Sequence, residues 1–237
     1  LKAAQNMPEK IKVDDIYYYG AGCATKEICK KIKSALLSVW QPEICEVNSD
    51  LLGAARALFG NRKGIACILG TGSNSCLYDG GQIIMQIPSL GYVLGDEGSG
   101  AALGKRLIGD VFKEQLPASV REMFLEEYKL TLPEILEKIY KLPSPNRFLA
   151  SFVPFLKKNL WNPYIYSLVL KELTRFVKRN VAMYPGAHAL NVNFTGSVAF
   201  HFQNILKEAT ASLGYSVTHV TETPVDGLID YHINLQA

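Results

Sequence analysis

Ile68-Leu69-Gly70-Thr71-Gly72-Ser73-Asn74-Ser75 joins two short β-prone runs, Ile65 to Leu69 and Ser75 to Tyr78, through a tight polar turn. Glycine lets the chain reverse where a Cβ would clash, and it lets an anion reach successive backbone N–H groups. No Gly-Lys-Ser/Thr follows and the next element is a strand, so Walker-type phosphate chemistry is excluded. The alternative reading is a plain glycine hairpin with polar tips.

Outward from this turn, Asp79-Gly80-Gly81 leads to a third run, Gln82 to Ile87, which predicts an antiparallel meander. Upstream the pattern differs. Ile16-Tyr17-Tyr18-Tyr19 closes on Gly20-Ala21-Gly22 and is followed by helical spacing from Thr25 to Trp40. Ile44-Cys45-Glu46-Val47 ends in Asn48-Ser49-Asp50 and meets Leu51 to Phe59, rich in Ala and Leu. Two strand–helix units in series predict parallel pairing, hence an α/β fold. Downstream, Ser99 to about Lys158 is mainly helical with breaks at Pro117, Pro133, Pro143 and Pro145, and a further helix fits Pro163 to Tyr184. A strand returns at Val192 to Phe194, a helix is expected from about Val198 to Leu213, and Val217 to Val220 supplies one more strand before Gly227 to Tyr231. A boundary near Asn61 to Gly64 would divide a small α/β piece, 1–62, from a larger α/β domain, 63–237, with a helical insertion and a last helix returning to the first piece.

Three further constellations carry chemistry. Gly91-Tyr92-Val93-Leu94-Gly95-Asp96-Glu97-Gly98-Ser99-Gly100 sets an acidic pair among glycines at the start of a small-residue helix. Backbone and carboxylates there can approach a ligand closely, and a carboxylate that accepts two hydroxyl hydrogen bonds discriminates strongly among sugars. The alternative is that Asp96 or Ser99 caps the helix. Asp50 falls at the carboxyl end of a predicted parallel strand, where ligands of α/β sheets gather and a carboxylate can take a hydroxyl proton. The alternative there is an N-cap at Asp50 or Ser49. Phe194-Thr195-Gly196-Ser197 is a strand–helix turn on which an adenosine could rest.

Composition limits the rest. With 237 residues, 48% of them apolar, the chain can bury a core as one large domain or two small ones. A net charge of +3, without a long basic block, argues against nucleic-acid or membrane-surface partners. Five cysteines without CxxC pairs argue against a disulfide framework or zinc knuckle and for a cytoplasmic location. Leu1 to Lys10 has no apolar core of a leader, and no stretch reaches the roughly 18 apolar residues of a membrane span. His188, His201, His219 and His232 lack metal-ligand spacing.

In this order the four constellations resemble the N-acetylglucosamine kinase-like branch of the BadF/BadG/BcrA/BcrD-type ATPase family, within the actin, hexokinase and heat-shock chaperone superfamily. Leu94-Gly95-Asp96-Glu97-Gly98-Ser99-Gly100 downstream of Gly70-Thr71-Gly72-Ser73-Asn74 carries most of the likeness. The resemblance implies an actin-like ATPase (ribonuclease H-like) two-domain fold and an ATP- and Mg²⁺-dependent amino-sugar kinase. It implies Asp50 as catalytic base; Gly70, Thr71, Gly72 and Ser73 on phosphate; Thr71, Asn74, Gly91 and Asp96 on sugar; and Gly196 with Ser197 on adenosine. Metal ligands are left open. The implied partners are ATP and a small sugar, with a homodimer as the assembly. The family opens with a strand and a hairpin bearing an Asp-x-Gly-x-Thr-type phosphate motif, whereas Leu1 would already lie in the helix that follows. The expectation is that this hairpin precedes Leu1; otherwise the chain is inactive. Many family members carry Trp and His where this chain has Leu90 and Tyr92, which leaves the sugar open, and the adenosine turn reads Gly-Ser in place of Gly-Gly. Two other readings stay in play: a non-catalytic sugar or nucleotide sensor, and an ATPase activator of a radical dehydratase.

Overall fold

A computed structural model describes residues 13–23 and 25–236. The expected helix at Leu1 and the leader reading of Leu1 to Lys10 lie outside them. β1 (Asp15–Gly20) and β2 (Ile44–Ser49) pair in parallel, joined through α1 (Lys26–Leu37). Thr25 caps α1, its side chain accepting from the Ile28 amide, and the helix stops at Leu37, short of the expected Trp40. α2 (Asp50–Phe59) starts directly after β2, with the Ser49 hydroxyl accepting from the Leu52 amide. Ser49 is therefore the cap, and Asp50 occupies the first helical turn.

A second sheet is built on β3 (Gly64–Leu69). β4 (Ser73–Tyr78) and β5 (Ile83–Ile87) extend it as the antiparallel meander expected from the glycine turns. α3 (Gly91–Leu94) is a single exposed turn that the sequence pattern does not signal. α4 (Gly100–Phe112), α5 (Ala118–Tyr128), α6 (Leu132–Tyr140), α7 (Pro145–Ala150), α8 (Val153–Lys158) and α9 (Pro163–Arg179) form the helical stretch. α9 buries Ile165, Leu168, Val169, Leu173, Phe176 and Val177, a three-and-four spacing that lays one stripe on the core, each such side chain contributing about 1.5–3 kcal/mol. It ends five residues before the expected Tyr184; Val181–Met183 continue as a 3-10 turn, and Tyr184 instead turns inward to bond the Ser75 hydroxyl at 2.7 Å.

β6 (Val192–Thr195) then pairs in parallel with the other edge of β3, α10 (Ser197–His201) and α11 (Gln203–Ala211) follow, and β7 (Val220–Thr221) completes the order β5-β4-β3-β6-β7. The helix expected over Val198 to Leu213 breaks at Phe202, which is fully buried. The strand expected over Val217 to Val220 shrinks because buried Asn193 takes over part of its ladder. The Asn193 Oδ1 accepts from the amides of Thr218 and His219 at 3.2 and 3.0 Å.

α2 lies between the two sheets. The Tyr19 ring of β1 sits over Gly53, while Leu51, Ala55, Leu58 and Phe59 cluster with Ala66, Cys76 and Tyr78. α12 (Val225–Gln236) packs its Gly227 on the Ala57 backbone of α2 and stacks His232 on Tyr17 of β1, ring centroids 3.8 Å apart.

Candidate functional site at the carboxyl end of β3

Helix direction sets where Asp50 points. The Tyr78 hydroxyl donates to the Gly60 carbonyl and Tyr78 pairs with Gly64, so the carboxyl end of α2 lies at the start of β3. The amino end, with Asp50, therefore lies toward the end of β3, where Leu69 runs into Gly70. One Asp50 oxygen accepts from the Leu51 amide at 2.8 Å. Burial pushes the Asp50 carboxyl above the ordinary aspartate range, with the amide bond from Leu51 opposing that rise. A partly desolvated carboxylate in this position suits proton acceptance.

The Gly70–Ser73 turn meets the start of α4. The Gly100 amide donates to the Gly70 carbonyl at 2.8 Å and the Ala101 amide to Thr71 at 3.0 Å. The Ser73 amide donates to Asp96 Oδ1 at 3.2 Å, and a Cβ on Gly72 would stand 3.0 Å from Asp96 Oδ2. Asp96 is buried, and its φ of 52° is a left-handed conformation that Asp tolerates better than most residues. Burial raises its pKa against the Ser73 amide, with Glu97 adding to the rise. Ser99, not Asp96, caps α4, its Oγ accepting from the Ala102 amide. Among the described residues the amides of Thr71 and Gly72 have no hydrogen-bond acceptor in the protein. These two donors, in a turn whose tip is solvent-exposed at Thr71, fit a phosphate.

Gly196 closes the other side. Its φ is 115°, and a Cβ would fall 2.3 Å from the Leu69 carbonyl oxygen, so only glycine allows the β6–α10 turn to lie on the end of β3. Ser197 follows at the exposed start of α10. Beside this turn the Thr195 hydroxyl is buried without a partner.

The structure thus joins Gly70 to Ser73, Asp96 and Gly196 at one end of β3 and orients Asp50 to the same end. The other two sugar candidates sit at its margin. Asn74 is half-buried, with Oδ1 accepting from Gln86 Nε2 at 3.1 Å and from the Ser75 amide. Gly91 opens α3 on an exposed loop that is tied to the Asp96 segment by the Gly95 amide donating to the Gly91 carbonyl at 2.8 Å and the Asp96 amide donating to the Ser89 carbonyl at 3.1 Å. Sequence reading missed the pair beneath the loop: buried Glu97 accepts from Arg179 Nε at 2.5 Å. No motif links positions that far apart, so no sequence signal pointed to the pair.

All five cysteines are free thiols. No described helix is long and apolar enough to cross a membrane.

An antiparallel hairpin pair continued by parallel strands in the order β5-β4-β3-β6-β7 defines the actin-like ATPase class of the ribonuclease H-like fold. No protein-family model matches the chain, and no curated protein matches it. A solved structure of a candidate N-acetylglucosamine kinase from Porphyromonas gingivalis is 47% identical with a TM-score of 0.91, over 94% of this chain and 78% of that one. Another candidate N-acetylglucosamine kinase, from Chromobacterium violaceum, is 17% identical with a TM-score of 0.73, over 92% and 75%, a likeness of fold. The chain belongs to the N-acetylglucosamine kinase-like family.

Proposed function

We propose that this protein transfers the γ-phosphoryl group of ATP to a hydroxyl of an amino sugar such as N-acetylglucosamine or glucosamine. The observation that carries this reading is the contact of the glycine turn with buried Asp96, beside a relative 47% identical that is described as a candidate N-acetylglucosamine kinase. In the proposed reaction the sugar oxygen attacks the γ-phosphorus, the bond to the β-phosphate oxygen breaks, and ADP leaves. Asp50 accepts the hydroxyl proton, and the free amides of Thr71 and Gly72 hold phosphate oxygens with Gly70 and Ser73 shaping the turn. Asp96 orients the sugar through its hydroxyls, with Thr71, Asn74 and Gly91 at the rim, and adenosine rests on Gly196 and Ser197.

Mg²⁺ belongs to this reading as the usual companion of ATP. Among the described residues no group of three or more His, Cys, Asp or Glu side chains gathers to hold a metal. The division into 1–62 and 63–237, with substrates in the cleft between, is part of the same proposal, as are a cytoplasmic location, a homodimer and membership of the BadF/BadG-type branch. The kinase relative favours catalysis over a sensor or a dehydratase activator.

The test is a coupled ADP-release assay with each sugar, using Asp50→Asn beside the natural sequence. Sugar-dependent turnover that falls by about 10²-fold or more in Asp50→Asn is expected. Equal rates in the two proteins would remove Asp50 from the chemistry.

A further inference from the structure

Asp96 faces the glycine turn, but its neighbours Gly95 and Glu97 line a separate hollow of about 320 Å³ between α3, α4 and α9. A second hollow of about 340 Å³ continues along the same helices, and Arg106, Asp110, Glu172 and Arg175 line both. Together they form a groove large enough for a small metabolite. None of the residues assigned to phosphate, sugar or adenosine lines it.

Its charges are unevenly satisfied. Of its carboxylates, Asp110 takes Arg106 Nε and the Tyr164 hydroxyl at 3.0 Å each, and Glu97 takes Arg179. Glu172 is different. Its Oε1 is 3.8 Å from Arg175 Nη1, and its Oε2 is buried without a partner. Burial raises its pKa, with Arg175 opposing the rise. On the cationic side, Lys105 donates only to the neutral Tyr92 carbonyl at 3.1 Å, and among the described residues Lys113 and Lys171 have no carboxylate partner. The groove therefore holds surplus positive charge around one acceptor that lacks a donor.

A phosphate alone would satisfy the cations but leave Glu172 unserved and most of the groove empty. A neutral sugar would serve Glu172 and leave the lysines unserved. We propose that this groove binds a sugar monophosphate, the phosphate held by the lysines and Arg175 and a sugar hydroxyl donating to Glu172. The hydroxyl would meet Oε1, which makes no hydrogen bond within the described residues and lies 3.8 Å from Arg175 Nη1. Lys105 links the groove to the candidate kinase site, since Tyr92 lies in α3, on the loop that ends at Asp96. The groove assignment does not require the kinase reading.

Calorimetric titration of the full chain with glucosamine 6-phosphate tests it, with inorganic phosphate, glucosamine and AMP as comparison titrants. Glucosamine 6-phosphate is expected to bind at least ten-fold more tightly than the other three. Glu172→Gln and the double variant Lys113→Ala with Lys171→Ala should each weaken it ten-fold or more, and Asp96→Asn should leave it unchanged. Both lysines are exposed, so the double variant keeps its fold. The proposal is overturned if no heat accompanies the sugar phosphate, if AMP binds more tightly, or if Asp96→Asn abolishes binding that the groove variants retain. Failure of the kinase reading would look different: no turnover, with the groove titration intact.

Discussion

The Ser73 amide donates to the Asp96 carboxylate at 3.2 Å although the two residues stand 23 positions apart. That bond fixes the turn at the end of β3 to the loop before α4, so one side chain holds the glycine turn in place and, in the proposed reaction, also faces the sugar. Asp96→Asn keeps the acceptor and tolerates a φ of 52°, whereas Asp96→Ala leaves the Ser73 amide unpaired in a buried position. Asp96→Ala is expected to lose about 1–3 kcal/mol in denaturant unfolding, and Asp96→Asn less than half of that. Both variants should raise the sugar KM by ten-fold or more.

Asp50 shows the opposite balance between stability and activity. Its folded pKa is raised by burial, so the folded state resists its ionisation. The penalty is absent below the unfolded pKa, grows as pH rises through the folded value, and is fully present at neutral pH. Asp50→Asn should therefore unfold at a higher temperature than the natural protein at pH 7 and show no advantage in strong acid, while its turnover collapses. In the natural protein the acid limb of kcat should fall above the ordinary aspartate range.

The Glu97–Arg179 pair runs the other way. Burial alone would raise the Glu97 pKa, but hydrogen bonds from its own backbone amide and from Arg179 outweigh it and the folded pKa is lowered. Its stabilisation is present above the unfolded pKa and lost as pH falls through the folded one. Arg179→Ala should cost about 1–3 kcal/mol at pH 7, since Arg179 is half exposed and Glu97 is not. In thermal melts from pH 7 down to pH 3, the two proteins should converge at the acid end.

Gly196→Ala places a methyl group 2.3 Å from the Leu69 carbonyl oxygen at a φ of 115°. The β6–α10 turn must move off the end of β3. A loss of about 2–4 kcal/mol is expected in denaturant unfolding, from backbone strain and displaced packing together. The ATP KM should rise more than the sugar KM. Equal changes in the two would separate Gly196 from the nucleotide.

Local pattern was enough for most elements. The glycine turns Gly70-Thr71-Gly72 and Asp79-Gly80-Gly81 specify an antiparallel meander because few residues reverse a chain so tightly, and the strand–helix units before them specify parallel pairing. Pattern failed where a distant side chain intervened. Asn193 displaces the ladder that Val217 to Val220 would have made, and buried Phe202 splits a helix of continuous propensity.

The candidate residues were identifiable as types at suggestive places: a carboxylate after a strand, glycines around an acidic pair, a small-residue turn. Composition and spacing alone determined that this is an α/β chain with a polar glycine turn and two carboxylates suited to binding hydroxyls. Tertiary structure decided which of these meet: the Ser73–Asp96 bond, the seating of Gly196 on Leu69, the direction of α2, and the salt bridge under Glu97. The reason is range. Propensity and periodicity act over a few residues, whereas a binding site is assembled by packing between segments that the chain brings together only when it folds.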